Sequence, residues 1–365
     1  MYGGGPAGSE RTKRPGSWKE VCGMLRIMLV VVAGSAGVHL LCFHVLSGDD
    51  ASSVVTPSRW SEQSLSSVSP SWRRNLARSK TPKVLMVSAS QALCGTRLGD
   101  NDIMKSLKNK ADYARRAGMD TWFSLELLVE GGNHRFRNKV LLLRHLMRSQ
   151  PSYDWFIWID SDTMILDMDF RIPWQEYNGY SLVMWGDGPS LDFDPHYTRS
   201  LNTGVMFVRN DDISREFFDT MVDLWDSHPN QTEVYLKVKK VLPEMPPYLC
   251  DQGSAIYMLM TQKDRWLPRV YLEERYHINR YWKDEADNLD KYMEQRETWR
   301  NDGNQPPFIM HFCGCALCYM KFSVDFDECQ RQHDRAFNFA DNQIIRDFGF
   351  MHRNLSSSEV VPIIR

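Results

Sequence analysis

The segment Tyr153–Phe170 reads YDWFIWIDSDTMILDMDF. Five large apolar residues, Trp155 to Ile159, run directly into two carboxylates one residue apart, Asp160 and Asp162. So short and continuous a run reads as a strand buried on both faces, as at the centre of a largely parallel sheet. Two acids at the end of such a strand repel each other unless a cation or a shared proton relieves them. Their oxygens are hard ligands of the kind that hold Mg²⁺ or Mn²⁺, ions that commonly bind substrate phosphates as well. An Asx turn at the strand end is the plainer alternative.

Outward from that strand the pattern alternates. Val84–Ser88 is a short apolar strand. Asp102 is a candidate cap for a helix whose apolar residues Ile103, Met104, Leu107, Ala111 and Ala114 recur at helical spacing, with Gly118 as its stop. Further strands are expected at Thr121–Leu127, Ser181–Trp185 and Val205–Arg209. Helices are expected at Asn138–Arg148, Ser214–Ser227, Asp251–Thr261 and Asp334–Asp347. Strands alternating with helices imply a doubly wound α/β sheet, in which ligands bind beyond the C-terminal strand ends. No P-loop or glycine-rich dinucleotide fingerprint follows a strand, and GGGPAG (3–8) precedes an apolar run, as a tail would.

That run, residues 27–46, is just long enough to cross a bilayer. Arg11, Lys13, Arg14, Lys19 and Arg26 precede it and Asp49 and Asp50 follow, so the positive-inside rule puts residues 1–26 in the cytosol and the bulk of the chain in the lumen. An uncleaved anchor is favoured over a signal peptide, because no small-residue cleavage site stands out. Ser-rich residues 47–80 read as a flexible stem, leaving 81–365 as the luminal domain. Sequons at Asn230 and Asn354 agree with that address. The formal net charge of −2, from 44 Lys+Arg against 46 Asp+Glu, gives no reason to expect nucleic acid as a partner. Six cysteines lie in the luminal part, where disulfides are expected. His311 with Cys313, Cys315 and Cys318 also has the spacing of a zinc site, an alternative that spacing alone leaves open.

Together WIDSDTMILDMDF, LNTGVMFVRN (201–210), DQGSAIYML (251–259), HFCGCALC (311–318) and DRAFNFADNQIIRDFGFMHRNL (334–355) resemble glycosyltransferase family 34, as does GDNDIMKSLKNKADYARRAGM (99–119). The likeness is strongest to the plant xyloglucan xylosyltransferase and galactomannan galactosyltransferase branch, and runs in order over nearly the whole luminal part. It implies a GT-A fold, a Rossmann-like nucleotide-binding sandwich with a mixed sheet. It also implies a single-pass type II Golgi membrane protein that transfers galactose or xylose from a UDP-sugar to an oligo- or polysaccharide, using Mn²⁺ and retaining the α configuration.

By that resemblance Asp160, Asp162 and His311 bind the metal, with Ser161 between the two acids and Ser90 as a further cofactor contact. Asn202 of the LNTG turn and Asp251 position the donor sugar, and Gln252 sits near its β face. Lys105, Lys110 and Lys139 are candidates for nucleotide contacts. The matching of Cys315, Cys318 and Cys329 to family cysteines favours disulfides over zinc. The chain departs from the family where Cys250 replaces a carboxylate, Ala316 a lysine, Cys313 a valine and Arg280 a glycine, with Lys321 as a stand-in for the lysine. The missing carboxylate at Cys250 and lysine at Ala316 motivate an alternative, a non-catalytic Golgi partner of active relatives. Homo- or hetero-oligomers with related glycosyltransferases are expected in either case.

Overall fold

The computed structural model describes residues 81–90, 94–125, 135–188, 191, 197, 200–296, 305–315 and 325–364. The tail, anchor and stem expected over 1–80 lie outside these, as do Ala316, Cys318 and Lys321. Among the described residues no helix is long and apolar enough to cross a membrane.

The WFIWI run forms β3 (Trp155–Ile159), and all five residues are buried. Side chains alternate across a strand, so Phe156 and Trp158 enter one apolar layer while Trp155, Ile157 and Ile159 enter the other. Burying each such side chain contributes roughly 1.5–3 kcal/mol. β3 lies inside a six-stranded sheet ordered β2-β1-β3-β6-β5-β7. Its members are β1 (Val84–Ala89), β2 (Asp120–Ser124), β5 (Leu182–Gly186), β6 (Leu201–Arg209) and β7 (Val270–Leu272). β2, β1 and β3 run parallel, but β6 is antiparallel to both β3 and β5. The expected largely parallel sheet is therefore corrected to a mixed one, the form that the resemblance implies.

One face carries α2 (Arg135–Ser149), α3 (Asp212–Asp226) and α5 (Asp251–Thr261), whose Leu143, Phe217, Trp225 and Ile256 join Phe156 and Trp158. α4 (Gln231–Lys239) adds Val234 and Val238 to the same layer. The other face carries α1 (Arg97–Ala117) and α6 (Phe326–Ile345), through Tyr113, Ala114, Ala340 and Ile344. A three-stranded sheet, ordered β4-β9-β8, starts right after the acidic pair: β4 is Thr163–Ile165, β8 Arg280–Tyr281 and β9 Ile309–His311. A hairpin, β10 (Phe350–His352) with β11 (Val360–Pro362), follows α6. Cys315 and Cys329 form a disulfide, so these two are not zinc ligands.

Two local expectations are overturned. LNTG is not a turn: it opens the nine-residue strand β6. Nor does Asp102 cap α1, which begins after Thr96, whose hydroxyl accepts the Gly99 N–H, and ends as expected on the left-handed Gly118. Asp102 instead lies on the buried face with Ser106, Asn109, Lys110 and Tyr113, while Met104 is 64% exposed. α1 thus buries its polar side.

Candidate active site

The chain crosses from one sheet to the other at Asp160-Ser161-Asp162. The Asp160 N–H donates to the Gly204 carbonyl of β6 at 2.8 Å, and the Phe312 N–H donates to the Asp162 carbonyl at 2.8 Å. Pairing of β4 with β9 sets His311 opposite Thr163. One ligand atom each from Asp160, Asp162 and His311 lie within 4.8 Å of one another.

The orientation of His311 follows from its neighbours. Its Nδ1 stands 2.7 Å from Asn279 Oδ1, and the Asn279 amide donates from Nδ2 to Asn202 Oδ1 at 2.6 Å. The oxygen of Asn279 is therefore the end left to accept, so Nδ1 of His311 carries a proton and Nε2 faces Asp162 Oδ1 at 3.2 Å. Asn202 Oδ1 also accepts the Gly204 N–H at 2.7 Å. A Cβ on Gly204 would stand 2.3 Å from His311 Cε1 and 2.7 Å from Nδ1. This glycine makes room for the imidazole rather than for a turn.

Lys139 closes the other side. Its ammonium reaches Asp160 Oδ1 at 3.0 Å, Asp251 Oδ2 at 2.8 Å and the Thr203 carbonyl at 3.1 Å. Burial favours loss of its proton, but the charges of Asp160 and Asp251 outweigh that and hold Lys139 above the usual lysine range. Burial also raises the Asp160 carboxyl, against the pull of Lys139. For Asp162 burial is outweighed by His311, and the carboxyl titrates below its usual range. His311 is raised well above the ordinary histidine value, since Cys313 and Asp162 overcome the burial that opposes its charge. The repulsion between the two acids is thus relieved in two directions, Asp160 toward Lys139 and Trp158 Nε1 (2.6 Å), Asp162 toward His311.

α5 begins beside this cluster. Cys250 is its N-cap, accepting the Gly253 N–H on Sγ at 3.4 Å, and its Sγ lies 3.2 Å from the Tyr197 hydroxyl. Burial lifts the thiol to about 11, so it stays protonated at neutral pH. Asp251 is 4% exposed and accepts from Thr203 Oγ1 at 2.7 Å. Gln252 donates from Nε2 to the Tyr197 carbonyl at 2.7 Å.

The remaining candidates contribute no side-chain ligand atom to this cluster. Lys105 pairs with Asp334 at 2.6 Å. Lys110 is fully buried and donates to Ser106 Oγ at 2.6 Å and to the Thr163 carbonyl at 3.0 Å, bracing the acidic loop from behind. Ser161 contributes its carbonyl, which accepts from Ser106 Oγ at 2.5 Å. Ser90 lies at the C-terminal end of β1, where its N–H donates to the Ser124 carbonyl at 3.1 Å. Sequence reasoning missed Thr203, Trp158 and Asn279. Asn279 directly precedes Arg280, the position where the resemblance expects a glycine.

Two carboxylates and an imidazole offering Nε2 form a donor set suited to Mn²⁺ and similar divalent ions. Asp160 and Asp251 share the ammonium of Lys139, and Asp162 faces His311, so the carboxylates outnumber the cations they pair with. On these grounds the residues fit a metal.

The family model described as "galactosyl transferase GMA12/MNN10 family" matches residues 80–321. The chain belongs to that family. Among GMA12/MNN10 relatives, Xyloglucan 6-xylosyltransferase 1 of Arabidopsis thaliana is 34% identical over 295 residues, covering 80% of this chain and 63% of the relative. Probable xyloglucan 6-xylosyltransferase 1 of Oryza sativa subsp. indica is 34% identical over 284 residues, 77% of this chain and 63% of the relative. The chain thus spans under two thirds of the length of these curated relatives. Among solved structures, a glycosyltransferase involved in the glycosylation of the major capsid of PBCV-1 aligns at TM-score 0.43 and 15% identity, over 69% of this chain and 99% of that one. The galactosyltransferase LgtC, in complex with donor and acceptor sugar analogs, aligns at TM-score 0.37 and 12% identity, over 70% and 95%. Both scores are too low to add to what the sheet itself shows of this GMA12/MNN10 member.

Proposed function

We infer that the chain is a retaining glycosyltransferase that moves xylose or galactose from a UDP-sugar, with Mn²⁺, onto a polysaccharide or glycan acceptor. Membership of the GMA12/MNN10 family supports sugar transfer to a glycan, and relatives named xyloglucan 6-xylosyltransferases place xylose and a cell-wall polysaccharide first for testing. The observation that carries the reading is the meeting of Asp160, Asp162 and His311 at the end of β3.

The cation would act there as a Lewis acid for the charge that builds on the UDP β-phosphate. Asp160 and Asp162 would hold it, with His311 fixed toward Asp162 by the Asn202–Asn279 relay. Asp251, anchored by Lys139 and Thr203, and Asn202 position the donor sugar. Gln252 is a poor nucleophile, and its amide is already tied to the Tyr197 carbonyl. The acceptor hydroxyl therefore attacks C1 on the face that UDP leaves: its oxygen bonds C1, the C1–O bond to UDP breaks, and its proton passes to the departing phosphate. Configuration is retained.

The chain is read as a single-pass type II Golgi membrane protein. Asn230 and Asn354 are both exposed, as luminal glycosylation requires.

The test is a screen of UDP-xylose, UDP-galactose, UDP-glucose and GDP-mannose on a broad acceptor panel, reading released nucleotide. Metal-dependent release that Asp162→Ala abolishes is expected, and no turnover with any donor sinks the enzyme reading. A second reading, a non-catalytic partner in complexes with related transferases, is favoured by Cys250, a buried thiol where the resemblance places a carboxylate. Calorimetry with UDP and Mn²⁺ separates the two, since a partner without a working site shows no metal-dependent binding.

A further inference from the structure

A second cluster lies where α1 and α6 pack together. On α6, Gln330, His333 and Asp334 are three and four residues apart and so share one helix face. Asp102, on the buried face of α1, is directed at them. One ligand atom each from Asp102, His333 and Asp334 lie within 4.8 Å of one another. Asp102 and His333 are only 3% and 1% exposed.

The hydrogen bonding of this group is incomplete. Gln330 Nε2 donates to Asp102 Oδ1 at 2.9 Å and to Asp334 Oδ1 at 3.2 Å. His333 Nδ1 stands 3.4 Å from Asp102 Oδ1 without forming a hydrogen bond. Asp102 Oδ2 and Gln330 Oε1 are buried and likewise have no hydrogen-bond partner. Buried polar atoms are rarely left so, and three in one cluster demand a reason. Two of them are oxygens and the third is an imidazole nitrogen.

We propose that Asp102, His333 and Asp334 form a second divalent-cation site, sharing no residue with the one at Asp160 and Asp162. One nitrogen and two carboxylates suit a borderline ion such as Zn²⁺ or Mn²⁺. A histidine and a carboxylate on one helix, facing a carboxylate on its neighbour, are the residue types that helix bundles project inward to hold metals. Lys105, whose ammonium sits on Asp334 at 2.6 Å, balances the charge when the cation is absent and competes with it for that carboxylate. The ion clips α1 to α6 one turn away from Ser106, whose hydroxyl supports the Ser161 carbonyl. It also fixes His333, whose ring stands edge-on to Phe312, the neighbour of His311. The clip keeps the acidic loop in place without touching the donor, so this inference does not rest on the transferase reading.

The test uses the full chain, stripped of metal by chelation and titrated calorimetrically with ZnCl₂ and MnCl₂ without nucleotide. Asp162→Ala, which disables the first cluster, is expected still to bind one ion and to gain thermal stability from it. In that background His333→Gln and Asp102→Asn each abolish the binding, while Lys105→Met tightens it by roughly tenfold as a competing charge is removed. If either buried variant fails to fold by circular dichroism, Asp334→Asn, at the half-exposed rim, gives the same readout. Absorption of bound Co²⁺ in the visible, lost in His333→Gln, checks the nitrogen ligand. An Asp162→Ala chain that binds no ion, or binding indifferent to both His333→Gln and Asp334→Asn, overturns the proposal.

Discussion

Gly204 is the residue on which the candidate site depends most narrowly. Its missing side chain is the space that His311 fills, so Gly204→Ala must displace the imidazole. The expected result is a loss of donor turnover of about a hundredfold, together with the roughly 1–3 kcal/mol that overpacking a buried site costs. Asn279→Ala frees the imidazole to turn and is expected to cost roughly 10–100-fold in Mn²⁺ affinity or activity, measured by titrating metal into the assay. Lys110 offers a test by pH. Burial, opposed by Asp162 and Asp160, pulls it down from 10.5 to about 7 in the folded chain. Between those values the unfolded chain binds the extra proton, so stability rises with pH across that window and is lowest below it. Lys110→Met removes this contribution. Urea unfolding at several pH values should therefore show a flatter profile for the variant than for the parent, and parallel profiles would refute the assignment.

At the scale of elements, α1 is the helix whose existence and stop at Gly118 the sequence shows but whose cap and buried face it does not. Its apolar residues recur at helical spacing, yet Met104 points outward and Asp102, Ser106, Asn109 and Lys110 are buried. The reason is what the helix faces: a loop and a short edge strand with unpaired backbone groups, which only polar side chains satisfy. Asn109 shows it, donating to the Ile165 carbonyl at 2.9 Å and accepting the Ile165 N–H at 2.8 Å, as a neighbouring strand would. Asn109→Leu strands both groups and is expected to cost about 1–3 kcal/mol for each in chemical denaturation, whereas Met104→Lys is close to neutral. β3 was readable because burial on both faces leaves a continuous apolar run, and α5 because its period is unbroken. LNTG was misread as a turn, since asparagine and glycine signal turns locally and only the distant His311 explains the glycine. Patterns along the chain report what each segment needs from the core. They do not report which side chain another segment will bring.

Across the whole molecule, the two faces of the main sheet are separate apolar layers, and the small sheet beside the acidic loop has a third. That third layer includes Phe312, Trp282, Phe337 and the Cys315–Cys329 disulfide. The bond joins the strand that ends in His311 to α6, so Cys315→Ala with Cys329→Ala is expected to cost about 2–4 kcal/mol and to lower metal-dependent activity more than it lowers helix content. Reductant should mimic the double variant in thermal unfolding, and indifference to reductant would count against a stabilising role. The pairing of Thr163 with His311 also sets a schedule for the nascent chain. Asp160 and Asp162 emerge about 150 residues before the histidine, a gap of roughly 10–30 s at ordinary rates of synthesis. Throughout that interval β4 has no strand to pair with and the acidic loop no imidazole. A cluster able to hold an ion at this loop therefore waits on His311, so the acidic pair spends that interval without its third partner.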